Sequence, residues 1–219
     1  MTMIECIDIN KWYGDLHVLK DVNFTSKDAE IVSIVGTSGA GKSTLLQIMG
    51  TLLKPESGKV LIDGVDVNTL GHRELGILRN SRIGFVFQFH HLLPEFTAVE
   101  NIMIPALIAG KEKTSIIKGK ALALLKEVGL EERAEHKPSQ LSGGECQRVA
   151  IARAIINNPS VIFADEPSGN LDSHTKQDIH QLFFSLREKH GQTIIIVTHD
   201  NSLATMADRM VTMQDGIIL

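Results

Sequence analysis

Residues 36–44 read GTSGAGKST, and the sequence on each side of this stretch decides the fold class. The apolar run IVSIV precedes it at residues 31–35, and the helical pattern STLLQIMG begins at residue 43. A strand, a glycine-rich turn and a helix in this order give the GxxxxGK[ST] motif the context that it needs. The glycines let backbone N–H groups point inward at phosphate oxygens, and the start of the helix adds a favourable partial charge. A chance match would not require this order, so the stretch predicts a phosphate-binding loop.

The side chains of this loop and of a later strand predict nucleotide chemistry. Lys42 supplies a positive charge to the β- and γ-phosphates, and Ser43 supplies a hydroxyl group to Mg²⁺. The run VIFADE at residues 161–166 ends an apolar strand with Asp165, whose carboxylate can reach Mg²⁺ directly or through water. Glu166 comes next and is placed to orient or deprotonate an attacking water, a role that contributes on the order of 10² to 10⁴ in rate. The predicted phosphate-binding set comprises Gly36, Thr37, Ser38, Gly39, Ala40, Gly41, Lys42, Ser43 and Thr44.

Length, composition and charge restrict the class of protein. The chain has 219 residues, of which 43% are hydrophobic and 22% charged, as expected for one folded domain with a full core. Its formal net charge of −4 gives no basic footprint, so we expect no nucleic-acid partner. Cys6 and Cys146 form neither a spaced framework nor a CxxC pair, which indicates unpaired thiols and a reducing compartment. The N-terminal residues lack a secretory pattern, and the apolar runs are shorter than the roughly 20 residues that cross a bilayer, so any membrane association goes through a partner.

Apolar runs and helical patterns alternate along the chain and predict an α/β fold. Strand patterns occupy residues 3–13, 18–24, 30–36, 59–62, 83–87, 161–164 and 193–197. Helical patterns occupy residues 42–53, 114–128, 143–157 and 173–190. The first strands predict an antiparallel β lobe, and the last two predict central parallel strands covered on both faces. We therefore expect a single domain over residues 1–219, with a core in residues 1–88 and 159–219 and an inserted helical subdomain at about residues 89–158.

Two further motifs resemble those of a known family. Residues 141–147 read LSGGECQ, and residues 148–172 continue as RVAIARAIINNPSVIFADEPSGNLD. These segments resemble the signature helix, the magnesium-binding strand and the following loop of ATP-binding cassette (ABC) ATPases. The motifs occur in the family's order, and the resemblance covers nearly all of the chain. It implies an ATP-hydrolysing enzyme with a RecA-like P-loop NTPase core that uses ATP and Mg²⁺.

The resemblance also implies roles for residues outside the phosphate loop. Gln88 would touch Mg²⁺ and the attacking water, and His199 would contact the γ-phosphate and sense its loss. Tyr13 would stack on adenine, although stacking by Trp12, or packing of Tyr13 on the core, is a competing interpretation. The expected catalytic set is Glu166, His199, Gln88 and Lys42.

The signature segment supplies a second helix start that could hold a phosphate. Ser142, Gly143 and Gly144 precede or begin that helix, as the glycine-rich loop does for the first one. In the family, the signature of one subunit completes the ATP site of the other in a homodimer that forms upon ATP binding, and Asp172 would help to couple the two sites. The family more often has Gln or Glu followed by a polar or basic residue where this chain has Glu-Cys, so a reactive thiol at Cys146 near the interface is an open interpretation.

Residues 85–110 read FVFQFHHLLPEFTAVENIMIPALIAG and are unusually apolar around two adjacent histidines. A metal site at His90 and His91 is a weak interpretation, since adjacent histidines rarely converge on one ion and no ligand cluster accompanies them. Thr97 lies three residues before Glu100, which predicts a capping box at a helix start. Exposed apolar residues beside a nucleotide sensor predict a docking surface for another protein. The residues expected on that surface include Leu92, Leu93, Ile102, Met103, Ile104 and Leu107.

The resemblance gives this surface a partner. In ABC transporters the region after the residue equivalent to Gln88 meets coupling helices of integral membrane subunits, so we expect such subunits to dock near residues 89–107. The chain would then be peripheral on the cytoplasmic side of the inner membrane. The runs QFHHLLPEFTAVENIMIPALI and ADEPSGNLD are most similar to the lipoprotein-releasing, LolD-like subgroup, which implies an ATPase that powers lipoprotein release from that membrane. The alternatives are a MacB-like efflux complex and an FtsE-like cell-division complex in which the ATPase acts as a mechanotransmission regulator.

Overall fold

Two β-sheets organise the chain in the computed structural model, which describes residues 2–219. The strands of the described residues are β1 (Thr2–Tyr13), β2 (Leu16–Lys27), β3 (Ile31–Gly36), β4 (Ser57–Ile62), β5 (Val65–Asp66), β6 (Ile83–Phe87), β7 (Val161–Asp165), β8 (Thr193–Val197), β9 (Arg209–Gln214) and β10 (Ile217–Ile218). The helices are α1 (Lys42–Met49), α2 (His72–Arg82), α3 (Ala98–Ala109), α4 (Thr114–Glu127), α5 (Gly143–Ile155), α6 (Ser173–His190) and α7 (Asn201–Met206). Short 3₁₀ turns occur at Val67–Thr69, Glu131–Arg133 and Pro138–Gln140.

The two sheets differ in strand direction. The first has the order β2-β1-β4-β5, and its strands pair antiparallel. The second has the order β10-β9-β3-β8-β7-β6, in which every pairing is parallel except that of the short edge strand β10 with β9. The predicted α/β class, the antiparallel lobe and the central position of β7 and β8 are therefore confirmed.

The central strands carry a hydrophobic core on each face. In β7, Ile162 and Ala164 pack into the core formed with helices α3 to α6, whereas Val161 and Phe163 pack into the core formed with α1 and the antiparallel sheet. Successive side chains of a strand point to opposite faces, so one strand serves both cores. Coverage on both faces explains why β7 and β8 have continuous apolar sequences.

The observed element boundaries match the sequence prediction for some elements and differ from it for others. Strands β6 and β8 and helix α6 have the predicted bounds. Helix α1 ends at Met49 rather than at residue 53, because the backbone enters the left-handed region at Thr51, with φ of 62°. Helix α2 was not predicted, since none of its residues is fully buried and only Leu75 and Leu78 pack against the core.

The region between β6 and β7 is helical. It contains α3, α4 and α5, as expected for a helical insertion, although the proposed division at residues 88/89 and 158/159 stays a prediction. The predicted capping box of α3 is present, since Thr97 Oγ1 accepts from the Glu100 N–H at 3.3 Å and the Glu100 carboxylate accepts from the Thr97 N–H at 2.8 Å. Within residues 2–219 no helix combines the length and the apolar character that crossing a membrane requires.

Candidate active site

The loop between β3 and α1 needs glycine at two positions. Gly36 has φ of 151°, and a Cβ atom there would lie 2.1 Å from the Met213 carbonyl oxygen on the neighbouring strand β9. Gly41 has φ of 96°, and a Cβ atom there would lie 3.0 Å from the Val18 carbonyl oxygen on β2. Both positions combine positive φ with close backbone approach, which only glycine accommodates. The loop is therefore held tightly between β2 and β9.

Lys42 and Ser43 begin α1 and bring charged and polar groups to this loop. Lys42 Nζ donates to the carbonyl oxygens of Gly36 and Thr37 at 2.8 and 2.9 Å, so the ammonium group lies over the loop. Ser43 Oγ donates to Asp165 Oδ1 at 2.9 Å. A hydroxyl and a carboxylate oxygen are ligands that Mg²⁺ prefers, and the fold brings this pair together from distant parts of the chain. The donor set therefore fits the predicted metal.

Asp165 is an energetically costly carboxylate in the nucleotide-free chain. Burial raises the pKa of Asp165, the hydrogen bond from Ser43 lowers it by less, and the charge of Glu166 raises it again. Because the pKa is higher in the folded than in the unfolded chain, the folded state loses stability as the pH rises and Asp165 ionises. The penalty is fully present once the pH exceeds the raised pKa of Asp165.

We expect Asp165→Asn to raise the thermal stability of the nucleotide-free chain at neutral pH. Asparagine keeps an Oδ1 acceptor for Ser43 but removes the partly buried charge. The gain in Tm should shrink on acidification, because the parent Asp165 is then protonated and no longer carries the penalty. Thermal unfolding at neutral and acid pH measures the effect, with exposed Asp15→Asn as the control. A lower Tm than the parent at neutral pH would contradict the assignment.

Glu166 and His199 form a close pair at the C-terminal ends of β7 and β8. Glu166 Oε2 lies 2.8 Å from His199 Nδ1, and the side chains are 19% and 66% exposed, respectively. The Glu166 backbone has φ of 47°, an uncommon value for a residue with a side chain, and its N–H donates to the Val197 carbonyl oxygen at 2.9 Å. The fold thus places the predicted base directly beside the predicted γ-phosphate sensor.

A cleft of about 510 Å³ contains most of the predicted residues. It is lined by Tyr13, Leu16, Val18, Gly36, Ser38, Gly39, Gly41, Lys42, Ser43, Thr44, Glu166, Val197 and His199. Tyr13 is 50% exposed, which argues against the alternative that it packs in the core. The Trp12 ring instead stacks on His17, with centroids 3.9 Å apart, and does not line the cleft. The geometry therefore favours Tyr13 as the aromatic residue that stacks on a base.

Four residues predicted for the phosphate and metal site lie outside the cleft lining, namely Thr37, Ala40, Gln88 and Asp165. The Ala40 N–H donates to the Thr37 carbonyl oxygen at 3.2 Å, so these two residues close a turn within the loop. Gln88 Nε2 donates to Asn170 Oδ1 at 3.0 Å and does not line the cleft. The assignment of Gln88 to Mg²⁺ and water stays a prediction.

The signature residues lie on a separate surface of the chain. Ser142 caps α5, where its hydroxyl accepts from the Glu145 N–H and the Glu145 carboxylate accepts from the Ser142 N–H at 2.8 Å. A Cβ atom on Gly144 would lie 2.4 Å from Thr175 Cγ2, so the start of α5 packs closely on α6. None of Ser142, Gly143 and Gly144 lines the cleft. Their contribution to a nucleotide site would need a second chain.

Asp172 has a local structural role that the sequence did not reveal. Its carboxylate accepts from the N–H groups of His174 and Thr175 and thereby caps α6. A role in coupling two sites across a dimer stays a prediction.

The interpretation of Cys146 as a reactive interface thiol is wrong. Cys146 is 8% exposed, and its Sγ lies 3.6 Å from the Pro138 carbonyl oxygen. Burial raises the pKa of Cys146, and the charge of Glu145 raises it further. Since the thiolate is the reactive form, burial and the raised pKa both disfavour reaction of this thiol. Cys6 is also free and buried, and burial raises its pKa to about 12.

Sequence reasoning missed three residues of the cleft wall, namely Leu16, Val18 and Val197. Leu16 and Val18 line the cleft because the hairpin of β1 and β2 brings β2 against the phosphate loop. Motif spacing describes only the loop itself, and it contains no signal for the strand that packs over it. A glycine at position 41 could have suggested a close neighbour, but not which one.

A comparison with family models identifies the family to which the chain belongs. The ABC transporter model matches residues 19–169, a range that includes the phosphate loop, the signature helix and the Asp165–Glu166 pair. The chain belongs to the ABC transporter family and is its ATP-hydrolysing, nucleotide-binding component.

Relatives along the full chain specify the subgroup. The chain is 58% identical over 217 residues to the lipoprotein-releasing system ATP-binding protein LolD of Bacteroides fragilis, covering 99% of this chain and 100% of that protein. It is 50% identical to the LolD protein of Bdellovibrio bacteriovorus, covering 97% and 98%. The chain is thus a LolD-like member of the family.

Two solved structures of one ABC transporter cassette share the fold of this chain. The dimeric structure of MJ0796, a bacterial ABC transporter cassette, has a TM-score of 0.91 and 45% identity, covering 99% of this chain and 96% of that chain. A dimeric post-hydrolysis state of the same cassette, bound to ADP and Pi, has a TM-score of 0.90 and 43% identity with the same coverage.

Proposed function

We propose that this chain is the ATP-hydrolysing subunit that powers release of lipoproteins from the inner membrane through membrane partner subunits. The observation that carries the proposal is the 58% identity over the full chain to a lipoprotein-releasing LolD protein. The cleft supports the ATPase role, because the phosphate loop, a carboxylate and a histidine surround one space. The chain would lie on the cytoplasmic side of the membrane, bound to it through its partners.

Each residue of the cleft has a separate role in the proposed hydrolysis of ATP. Lys42 offsets negative charge on the terminal phosphates of ATP, and Ser43 with Asp165 would hold Mg²⁺. When bound, Mg²⁺ shields the phosphate charge and orients the terminal phosphates. Glu166 accepts a proton from the attacking water, and His199 donates a hydrogen bond to the γ-phosphate. The pairing of His199 Nδ1 with Glu166 holds the two side chains side by side, next to the expected position of the γ-phosphate.

A second copy of the chain would complete each nucleotide site. The backbone N–H groups at the start of α5 can hold a phosphate, but Ser142 and its neighbours lie away from the cleft. A two-fold arrangement places the signature of each copy on the cleft of the other, so ATP joins the copies and hydrolysis separates them. The dimeric state of MJ0796, a structural relative, supports this arrangement.

Only part of the surface predicted for docking of the membrane subunits is exposed. Phe89, Leu93 and Leu107 are 66%, 43% and 44% exposed, as a docking surface requires. Ile102 and Met103 are instead buried at 0% and 6% and belong to the core, so their assignment to the surface was wrong. The helix α3 is apolar on both sides, and the sequence alone does not show which side faces inward.

A groove of about 380 Å³ between α2, α3 and the end of α5 continues this surface. Its apolar lining includes Leu52, Phe85, Phe87 and Ile108, of which Ile108 is 72% exposed. We call it the α2–α3 groove. Exposed apolar side chains around a concave surface are typical of an interaction site. The groove is therefore the docking site that the structure supports best.

The paired histidines connect this groove to the signature helix through their backbone. Arg153, which lines the α2–α3 groove, donates to the His90 and His91 carbonyl oxygens at 2.8 and 2.7 Å. The His91 ring packs edge-on against Phe87 with centroids 5.3 Å apart. The segment after Gln88 is thus tied to α5 on one side and to the groove on the other.

We expect Ile108→Glu to weaken assembly with the membrane subunits at least about tenfold, because a charge would be buried in an apolar contact. ATP affinity should not change, since Ile108 lies outside the cleft. Co-purification of the complex and titration of a fluorescent ATP analogue measure the two effects. Ile116→Glu is the matched control, because Ile116 is 51% exposed on α4 and does not line the groove. Equal assembly of both variants would move the docking site elsewhere.

The cargo is tested by reconstitution. The chain is purified with its co-encoded membrane subunits, placed in proteoliposomes that contain a lipid-anchored protein, and supplied with ATP. The proposal expects ATP-dependent appearance of that protein in the soluble fraction with a carrier protein present. ATP hydrolysis without release, or co-purification with efflux or cell-division components instead, would refute the lipoprotein role while leaving the ATPase intact.

A further inference from the structure

A buried histidine lies behind the active site and has no part in the chemistry described above. His180 is 1% exposed on α6, and its Nε2 lies 3.0 Å from Ser168 Oγ, which belongs to a residue that is 2% exposed. Separating such a pair leaves both polar groups without water, so the contact is a strong local restraint. Ser168 belongs to residues 166–172, which we call the junction loop.

The junction loop contacts several parts of the proposed site. The Glu166 carbonyl oxygen accepts from the Gly169 N–H at 3.0 Å. Asn170 Oδ1 accepts from Gln88 Nε2 at 3.0 Å. Asp172 ends the loop and caps the helix on which the buried histidine lies. A displacement of the loop would therefore change the positions of the proposed base and of Gln88 together.

His180 also interacts with the segment that carries His199. Asp200 caps α7, and its negative charge raises the pKa of His180, whereas the positive charge of Lys176 on α6 lowers it. Burial is the largest effect and lowers the pKa of His180 below its usual value, so the imidazole is neutral at neutral pH. A neutral ring can share a hydrogen bond with a hydroxyl group without burying a charge. His180 thus contacts the junction loop through Ser168 and lies within the electrostatic influence of Asp200, the residue after His199.

We propose that His180 is a positioning residue for ATP hydrolysis, which holds the junction loop through Ser168 so that Glu166 and Gln88 keep a productive arrangement. His180 does not line the nucleotide cleft, so its effect falls on kcat and not on ATP binding. The proposal rests on the catalytic role proposed for Glu166 and is independent of the lipoprotein cargo.

The first test removes one hydroxyl group. Ser168→Ala should lower kcat about tenfold and leave the KM for ATP within about twofold, as expected when one buried hydrogen bond that orders reacting groups is lost. Ser26→Ala is the matched control, because Ser26 is 1% exposed and its Oγ has no hydrogen-bond partner among residues 2–219. Steady-state hydrolysis by the purified full-length chain is measured at a temperature where circular dichroism shows every variant folded.

The second test addresses the histidine itself. His180→Leu should reproduce the tenfold loss, and the Ser168→Ala/His180→Leu double variant should be no slower than either single variant, because both remove the same contact. His180→Gln should restore most of the activity, since a glutamine amide reaches about as far as the imidazole Nε2. Unchanged kcat in Ser168→Ala and His180→Leu, additive losses, or an equal loss in Ser26→Ala would overturn the positioning role. A Glu166→Gln variant with normal hydrolysis would instead remove the base assignment on which the proposal rests.

Discussion

We expect Glu166→Gln to lower kcat for ATP at least about 100-fold while leaving ATP binding intact. Glutamine has nearly the shape of glutamate, but its amide cannot accept a proton from water. It also removes the charge that pairs with His199 at 2.8 Å. Single-turnover hydrolysis gives the rate, and sedimentation in ATP and Mg²⁺ should show a dimer that persists, because hydrolysis no longer separates the copies.

Glu188→Gln is the matched control for this experiment. Glu188 is an exposed residue of α6 that does not line the cleft, so its replacement should change neither rate nor association. If Glu166→Gln hydrolysed ATP at half the parental rate or faster, another group would have to accept the proton of the attacking water.

We expect Gly36→Ala to destabilise the fold by about 3 kcal/mol or more. A Cβ atom would lie 2.1 Å from the Met213 carbonyl oxygen, and that oxygen belongs to the backbone of β9, which pairs with β3 at this position. Neither strand can yield without breaking the parallel ladder. Urea unfolding measures the loss, and ATP binding should disappear with the loop geometry.

Gly39→Ala separates steric conflict from backbone strain. Gly39 has φ of 82°, but a Cβ atom there would meet nothing within 4 Å. The expected cost is about 1–2 kcal/mol from the left-handed backbone alone. Equal destabilisation of the two variants would mean that the contact with Met213 adds nothing to the loss of folding free energy.

The sequence predicted the parts of the molecule that carry strong local patterns. The phosphate loop and the continuous apolar strand β8 lie where the motif and the apolar run placed them. Asp165 also lies beside Ser43, because the end of β7 meets the start of α1. These features are determined over a few residues, so they can be read without the tertiary structure.

Other parts depend on packing between distant segments. Ile102 and Met103 were expected on the surface, but α3 has apolar residues on both sides and only its neighbours decide which side is buried. Similarly, the contact of Ser168 with His180 joins a loop to the middle of a helix, and no spacing rule connects them.

The hydrogen bonds of Arg153 connect helix α5 to the segment beside the α2–α3 groove. From Arg153 back to Ser142 the helix rises about 1.5 Å per residue over 11 residues, or roughly 16 Å. One end therefore holds the backbone of His90 and His91 beside the α2–α3 groove, and the other end is the signature turn. Because one helix carries both contacts, a movement of α5 at the groove would also move Ser142 and Gly143 at its start. We therefore expect the position of a docked membrane subunit to be coupled to the nucleotide through α5.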